Sequence, residues 1–132
     1  MYCLDTNICI DALKARYPRL MQAFHARRPD EIHVPSMVRA ELLYGANRSA
    51  HSERNRMLVE NFIAPFKALA FDSIAADEYA TIRIDLERSG QGIGPNDLVI
   101  AATALAHHLV LVTRNMGEFS RVKGLRVENW TE

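Results

Sequence analysis

The chain has 132 residues, 48% of them hydrophobic and 24% charged, with 16 Lys and Arg balanced by 16 Asp and Glu. That length supports one hydrophobic core, the composition is that of an ordinary globular protein, and no apolar run approaches the roughly 18 residues of a membrane span. Zero net charge excludes an indiscriminate nucleic-acid binder, although the halves differ in sign, with ten basic and seven acidic residues up to Lys67 and six against nine after it.

In chain order, a first strand is expected over Tyr2 to Thr6. Met1-Tyr2-Cys3-Leu4-Asp5 has neither a basic stretch nor a long apolar one, so a cytoplasmic location is expected. Cys3 and Cys9 match no zinc spacing and read as reduced, small core residues. Asn7 to Ala15 forms a short helix, with Ile8, Asp11 and Ala12 at helical spacing. Pro18 starts another through Leu20, Met21 and Phe24, which ends near Arg27-Arg28-Pro29-Asp30. Ile32 to Pro35 is the second strand. Ser36 is expected to cap a helix carrying Val38 and Leu42, and Ser52 one carrying Leu58, Val59, Phe62 and Ile63.

Leu69-Ala70-Phe71 reads as a third strand. Asp72 or Ser73 caps a helix through Tyr79, Ile82 and Leu86. After a loop with Gly90, Gly92 and Gly94, Pro95 opens a helix that runs to His107. Leu109 to Thr113 is the plainest buried strand, and Leu125 to Val127 is an edge strand. Alternating strands and helices imply an α/β fold with a mainly parallel sheet covered on both faces, and ligands collect beyond the carboxyl ends of such strands.

Three carboxylates stand where these elements change. Asp5 closes the first strand, Glu41 flanks the buried stripe of its helix, and Asp97 opens a helix after Gly94-Pro95-Asn96. Asp5 suits a helix N-cap and Asp97 suits a helix dipole, so each has an ordinary structural explanation as well. Together at one sheet edge they make a negative cluster suited to hard divalent cations. Two such ions roughly 3.5–4 Å apart would serve phosphodiester cleavage. Gly45, one turn after Glu41, leaves room for another backbone to approach.

Four segments, in order, resemble the PIN-domain ribonucleases. They are Leu4-Asp5-Thr6-Asn7, Glu41-Leu42-Leu43-Tyr44-Gly45, Gly94-Pro95-Asn96-Asp97-Leu98, and Thr113-Arg114-Asn115-Met116-Gly117-Glu118-Phe119. The nearest group is the VapC toxins of bacterial toxin–antitoxin pairs. The resemblance implies a three-layer α/β/α sandwich, with residues 1–132 as a single PIN domain. It implies a Mg²⁺- or Mn²⁺-dependent endoribonuclease with Asp5, Glu41 and Asp97 as catalytic acids, of which Asp5 and Asp97 hold metal. It further implies a homodimer, inhibition by a cognate VapB-type antitoxin, and transfer RNA as substrate, notably the anticodon loop of the initiator.

The chain departs from the family where a fourth acid often stands, since position 115 is Asn; Glu118 is the nearest replacement. That departure supports an alternative, a catalytically silent PIN fold that binds RNA or a partner. Thr6, Asn7, Thr113, Asn115 and Glu118 are accessory candidates, with Thr113 positioned to hold a phosphate or a water. Arg114 is the candidate for phosphate contact on RNA. His107 and His108 read as helix-end residues, and Trp130 as packing against the sheet edge.

Overall fold

A computed structural model describes residues 1–132. Five parallel strands form one sheet in the order β3-β2-β1-β4-β5: β1 is Tyr2–Leu4, β2 Ile32–Pro35, β3 Lys67–Leu69, β4 Val110–Val112 and β5 Val127–Glu128. The helices are α1 (Thr6–Leu13), α2 (Pro18–His25), α3 (Ser36–Arg48), α4 (Ser52–Ile63), α5 (Ser73–Arg88), α6 (Pro95–Ala106) and the short α7 (Met116–Phe119). Every residue of β2 and β4 is buried, so both sheet faces are covered and the architecture is an α/β/α sandwich. Cys3, Leu4, Leu111 and Val112 form the sheet's centre, and Ile8, Val38 and Ile100 pack there from helices. No helix is long and apolar enough to cross a membrane.

The chain steps outward from β1 through β2 to β3, then returns to the other side of β1 with β4 and β5. The strand order therefore reverses between β1 and β4, the place where a doubly wound sheet opens a crevice at its carboxyl end. Asp5 and Thr113 follow these two strands directly. Asp5 N–H bonds to the Val112 carbonyl at 3.1 Å, and Thr113 N–H to the Glu128 carbonyl at 2.9 Å, so both are fixed by sheet-type bonds.

Several sequence expectations are corrected. The third strand lies two residues earlier than Leu69–Phe71, at Lys67–Leu69, and the last strand is Val127–Glu128 rather than Leu125–Val127. The first strand ends at Leu4, because Asp5 is already the N-cap of α1. Pro35 and His51, not Ser36 and Ser52, hold the N-cap positions of α3 and α4. Ser36 is the first helical residue and donates its hydroxyl to the Leu69 carbonyl at 3.4 Å. Asp72 does cap α5, accepting from Ala75 N–H at 2.9 Å. Cys3 and Cys9 are buried free thiols.

Trp130 is buried, with its contacts to β1 and α2 rather than to the sheet edge. Its ring lies edge-on to Tyr2 and Phe24, with centroids at 4.9 and 5.6 Å, and the Arg27 guanidinium sits 4.3 Å from it. His107 ends α6 with Nε2 3.4 Å from the Asp72 carboxylate.

Candidate active site

The crevice between β1 and β4 gathers four carboxylates. Asp5 is 5% exposed and accepts from Ile8 N–H at 2.9 Å, so one oxygen starts α1 while the carboxyl stays at the strand end. Burial pushes its pKa up to about 6, against the pull of the Thr113 hydroxyl, the Ile8 N–H and the Arg114 charge. Asp97 is the third residue of α6, where the helix dipole favours an anion. Partial burial first, then the charges of Glu118, Asp5 and Glu41, nevertheless push its pKa up to about 6. Four elements thus bring Asp5, Glu41 and Glu118 within electrostatic reach of Asp97.

Glu41 comes from the flank of α3, whose buried residues are Val38, Leu42 and Ala46. It accepts from the Thr6 hydroxyl at 2.6 Å and from the Asn96 amide at 3.2 Å. Glu118, in α7, accepts the Gly94 N–H at 2.9 Å and the Asn115 side-chain amide at 2.6 Å, and these two donors hold its carboxyl below the usual range. A Cβ added at Gly94 would lie 3.8 Å from an Asp97 carboxylate oxygen and 3.9 Å from one of Glu118. Both are ordinary van der Waals distances, so both carboxylates lie against Gly94 without the site requiring a glycine there.

The accessory candidates divide. Thr6 orients Glu41, and Asn115 orients Glu118, as described. Asn7 is exposed in the first turn of α1. Thr113, expected to hold a phosphate or a water, is fully buried; its hydroxyl bonds Asp5 and accepts the Asn115 N–H at 2.9 Å. Its place is behind Asp5, out of reach of substrate. Arg114, expected at phosphate, instead donates from Nε to the fully buried Asp11 at 2.6 Å and lies over the Tyr17 ring at 5.5 Å.

Sequence reasoning missed Asn96 and Asp11. Asn96 had a signal, its position beside Asp97 in the Gly94-Pro95-Asn96 turn. Asp11 also had one: an acid on the same helical stripe as Ile8 and Ala12 must be paired if that stripe is buried.

A family model for the PIN domain matches residues 2–125. The chain belongs to the PIN-domain family. Curated relatives match this PIN domain nearly end to end. A tRNA(fMet)-specific endonuclease VapC of Shigella flexneri is 38% identical over 130 residues, 98% of each chain. Ribonuclease VapC2 of Haemophilus influenzae is 39% identical over 129 residues, 98% of this chain and 97% of its own. Among solved structures, DNA-bound VapBC of Salmonella typhimurium superposes with a TM-score of 0.92 at 38% identity, covering 98% and 97% of the two chains. The PIN domain described here is therefore one of VapC type.

The donor set fits a hard divalent cation. The oxygens in the crevice are carboxylate, amide and hydroxyl, with neither imidazole nor accessible thiolate among them. Across the chain, no three acidic, histidine or cysteine side chains close into a preformed ligand cage. An open set with one or two protein carboxylates suits Mg²⁺, which keeps several of its waters and takes substrate phosphate as a ligand.

Proposed function

We propose that the chain is a metal-dependent endoribonuclease, the toxin of a type II toxin–antitoxin pair, acting as a single domain over residues 1–132. Its substrate is transfer RNA cut in the anticodon loop, notably the initiator, so that cleavage stops translation. A VapB-type antitoxin neutralises it, and the toxin itself pairs as a homodimer in the cytoplasm. The observation that carries this reading is the Asp5–Glu41–Asp97–Glu118 cluster at the β1/β4 switch point. Burial first and then repulsion from the other three acids raise Asp97, and the guanidinium that reaches Asp5 is engaged by Asp11. A divalent cation relieves that repulsion. The ribonuclease names of full-length relatives and the VapBC assemblies among solved neighbours support the same reading.

Asp5 and Asp97 would hold Mg²⁺ or Mn²⁺. When bound, the ion supplies charge to the phosphoryl oxygens and lowers the pKa of water for attack at neutral pH. Glu41, fixed by Thr6 and Asn96, would orient the attacking water or complete the shell of the ion. Thr113 and the Ile8 N–H keep Asp5 in one rotamer. Glu118 ties α7 to the first turn of α6 and supplies the fourth negative charge, with Asn115 as its orienting donor. In-line attack leaves a 5′-phosphate and a 3′-hydroxyl.

The test is digestion of bulk bacterial tRNA by purified, antitoxin-free protein in Mg²⁺ and in EDTA. Cleavage in Mg²⁺ that EDTA abolishes is expected. A folded protein that leaves tRNA intact in both Mg²⁺ and Mn²⁺ would overturn the tRNase reading and favour the silent PIN fold.

A further inference from the structure

The loop from Gly90 to Gly94 leads directly into the helix that presents Asp97, and its own backbone does little to hold it. Three of its five residues are glycine, which loses more freedom on folding than any other residue. Gly90, at φ +68°, and Gln91 close the end of α5, bonding through their N–H groups to the Glu87 and Leu86 carbonyls. Beyond them, Gly92 and Ile93 donate no backbone bond. Ile93 rests on the core, which places the loop without engaging its peptide groups.

Two side chains engage those groups instead. Glu118 accepts the Gly94 N–H at 2.9 Å, and Arg121 donates from Nη1 to the Gly92 carbonyl at 3.1 Å. Both belong to one turn of chain, because the Arg121 N–H bonds back to the Glu118 carbonyl at 3.2 Å. That turn has two faces. Phe119 and Val122 are buried and anchor it in the core, while Glu118 and Arg121 reach outward to the loop. Arg121 forms no ion pair, although Glu118 lies within electrostatic reach. Its side-chain bond goes to the loop.

We propose that Arg121 is a positioning residue for the metal-dependent reaction: with Glu118 it makes a two-point clasp on Gly92 and Gly94, which fixes the entry to α6 and so sets Asp97 against Asp5. The proposal rests on the nuclease reading above and names a residue on which the geometry of the same site depends. One bond alone leaves the loop free to pivot about Gly94; the second, two residues away, removes the pivot. Pro95 has a fixed φ, so a displaced loop carries the first turn of α6 with it rather than absorbing the movement. A misplacement of about 1 Å can cost on the order of 100-fold in rate, so a loop rich in glycine beside a metal-binding acid needs such a hold.

The test compares the full parent chain with Arg121→Ala, Arg121→Met and Arg121→Lys, beginning with metal-free amide hydrogen exchange read by NMR. The Gly94 N–H should exchange about 5- to 50-fold faster in the alanine and methionine variants, although Arg121 does not touch that group. Their melting temperatures should stay close to the parent's, because Arg121 is exposed. Arg121→Lys keeps a donor for Gly92 and should restore most of the protection. Arg121→Met keeps the apolar stem, so the comparison survives if the alanine variant folds poorly. Mn²⁺ titration followed by electron paramagnetic resonance should show about 3- to 30-fold weaker binding in both, a smaller loss than for a group that bonds a metal ligand directly. Cleavage of bulk tRNA should need correspondingly more Mg²⁺, with KM for RNA unchanged. Parent-like Gly94 exchange in a folded Arg121→Ala, or parent-like Mn²⁺ affinity, would overturn the proposal. So would a raised KM for RNA with a salt dependence shallower by about 0.7 in log–log slope, which would make Arg121 a contact to RNA phosphate. Failure of the nuclease reading would appear separately, as intact tRNA with the parent chain, while exchange and Mn²⁺ binding still decide the clasp.

Discussion

Glu118 accepts the Gly94 backbone N–H at 2.9 Å, so a carboxylate from α7 fastens the loop that starts α6 and presents Asp97. Position 115 is therefore not where the fourth charge of the cluster arises. Asn115 donates to Glu118 at 2.6 Å and steers it. Glu118→Gln keeps an oxygen for Gly94 but removes the charge. The Mg²⁺ concentration for half-maximal cleavage should rise about 10- to 100-fold, the usual range for groups that support metal ligands. An unchanged Mg²⁺ dependence would remove Glu118 from the site.

Arg114 and Asp11 are joined by the tightest ion pair in the chain, at 2.6 Å, and Asp11 is fully buried. Arg114→Ala leaves that carboxylate with Arg16 alone, at 3.4 Å. Because Arg114 is partly exposed, the loss should fall below the full cost of breaking a buried pair, at about 2 kcal/mol. Urea unfolding should show this loss at neutral pH. A variant of unchanged stability that binds tRNA far more weakly would return Arg114 to the phosphate-contact role.

Asp5 is stabilised as the neutral acid in the fold, with its pKa raised from 3.8 to about 6. The folded state thus binds its proton more tightly than the unfolded chain does. The resulting stability is fully present below about pH 4 and is lost as pH rises through about 6. At pH 7.5 the ionised, buried Asp5 is a liability of up to about 2–3 kcal/mol. Asn also caps helices, so Asp5→Asn keeps the bond to Ile8 and removes the charge. In metal-free protein it should melt above the parent at pH 7.5, with the gap about halved at pH 5 and closed below about pH 4. A parent that is the more stable of the two at pH 7.5 would contradict this.

The parts of the fold with strong local signals were legible. Apolar Val110 to Val112 and the Pro95 helix start needed no tertiary information, and Asp5 proved to be both N-cap and cluster member, where the sequence had left those two roles as alternatives. Errors fell where packing overrides local chemistry. Lys67 and Ala68 are exposed residues of an edge strand, so its polar start hid it, while Phe71 looked strand-like and lies outside. Four residues of α7 are too few to display a helical period. Arg114 looked free for phosphate because its partner Asp11 lies 103 residues away in the chain. Thr113 looked available to substrate because burial of its hydroxyl depends on Asp5 and Asn115 closing over it.

The most direct measurement compares the parent chain with Asp97→Asn, matched for folding by circular dichroism and melting, in Mg²⁺-dependent cleavage of tRNA. Asp97 sits where Asp5, Glu41 and Glu118 all act on it, so its charge should be indispensable to holding the ion. Asp97→Asn should lose at least about 100-fold in cleavage rate, not restored by raising Mg²⁺ to saturation. Full cleavage by the folded variant would contradict it and move the chemistry away from the β1/β4 crevice.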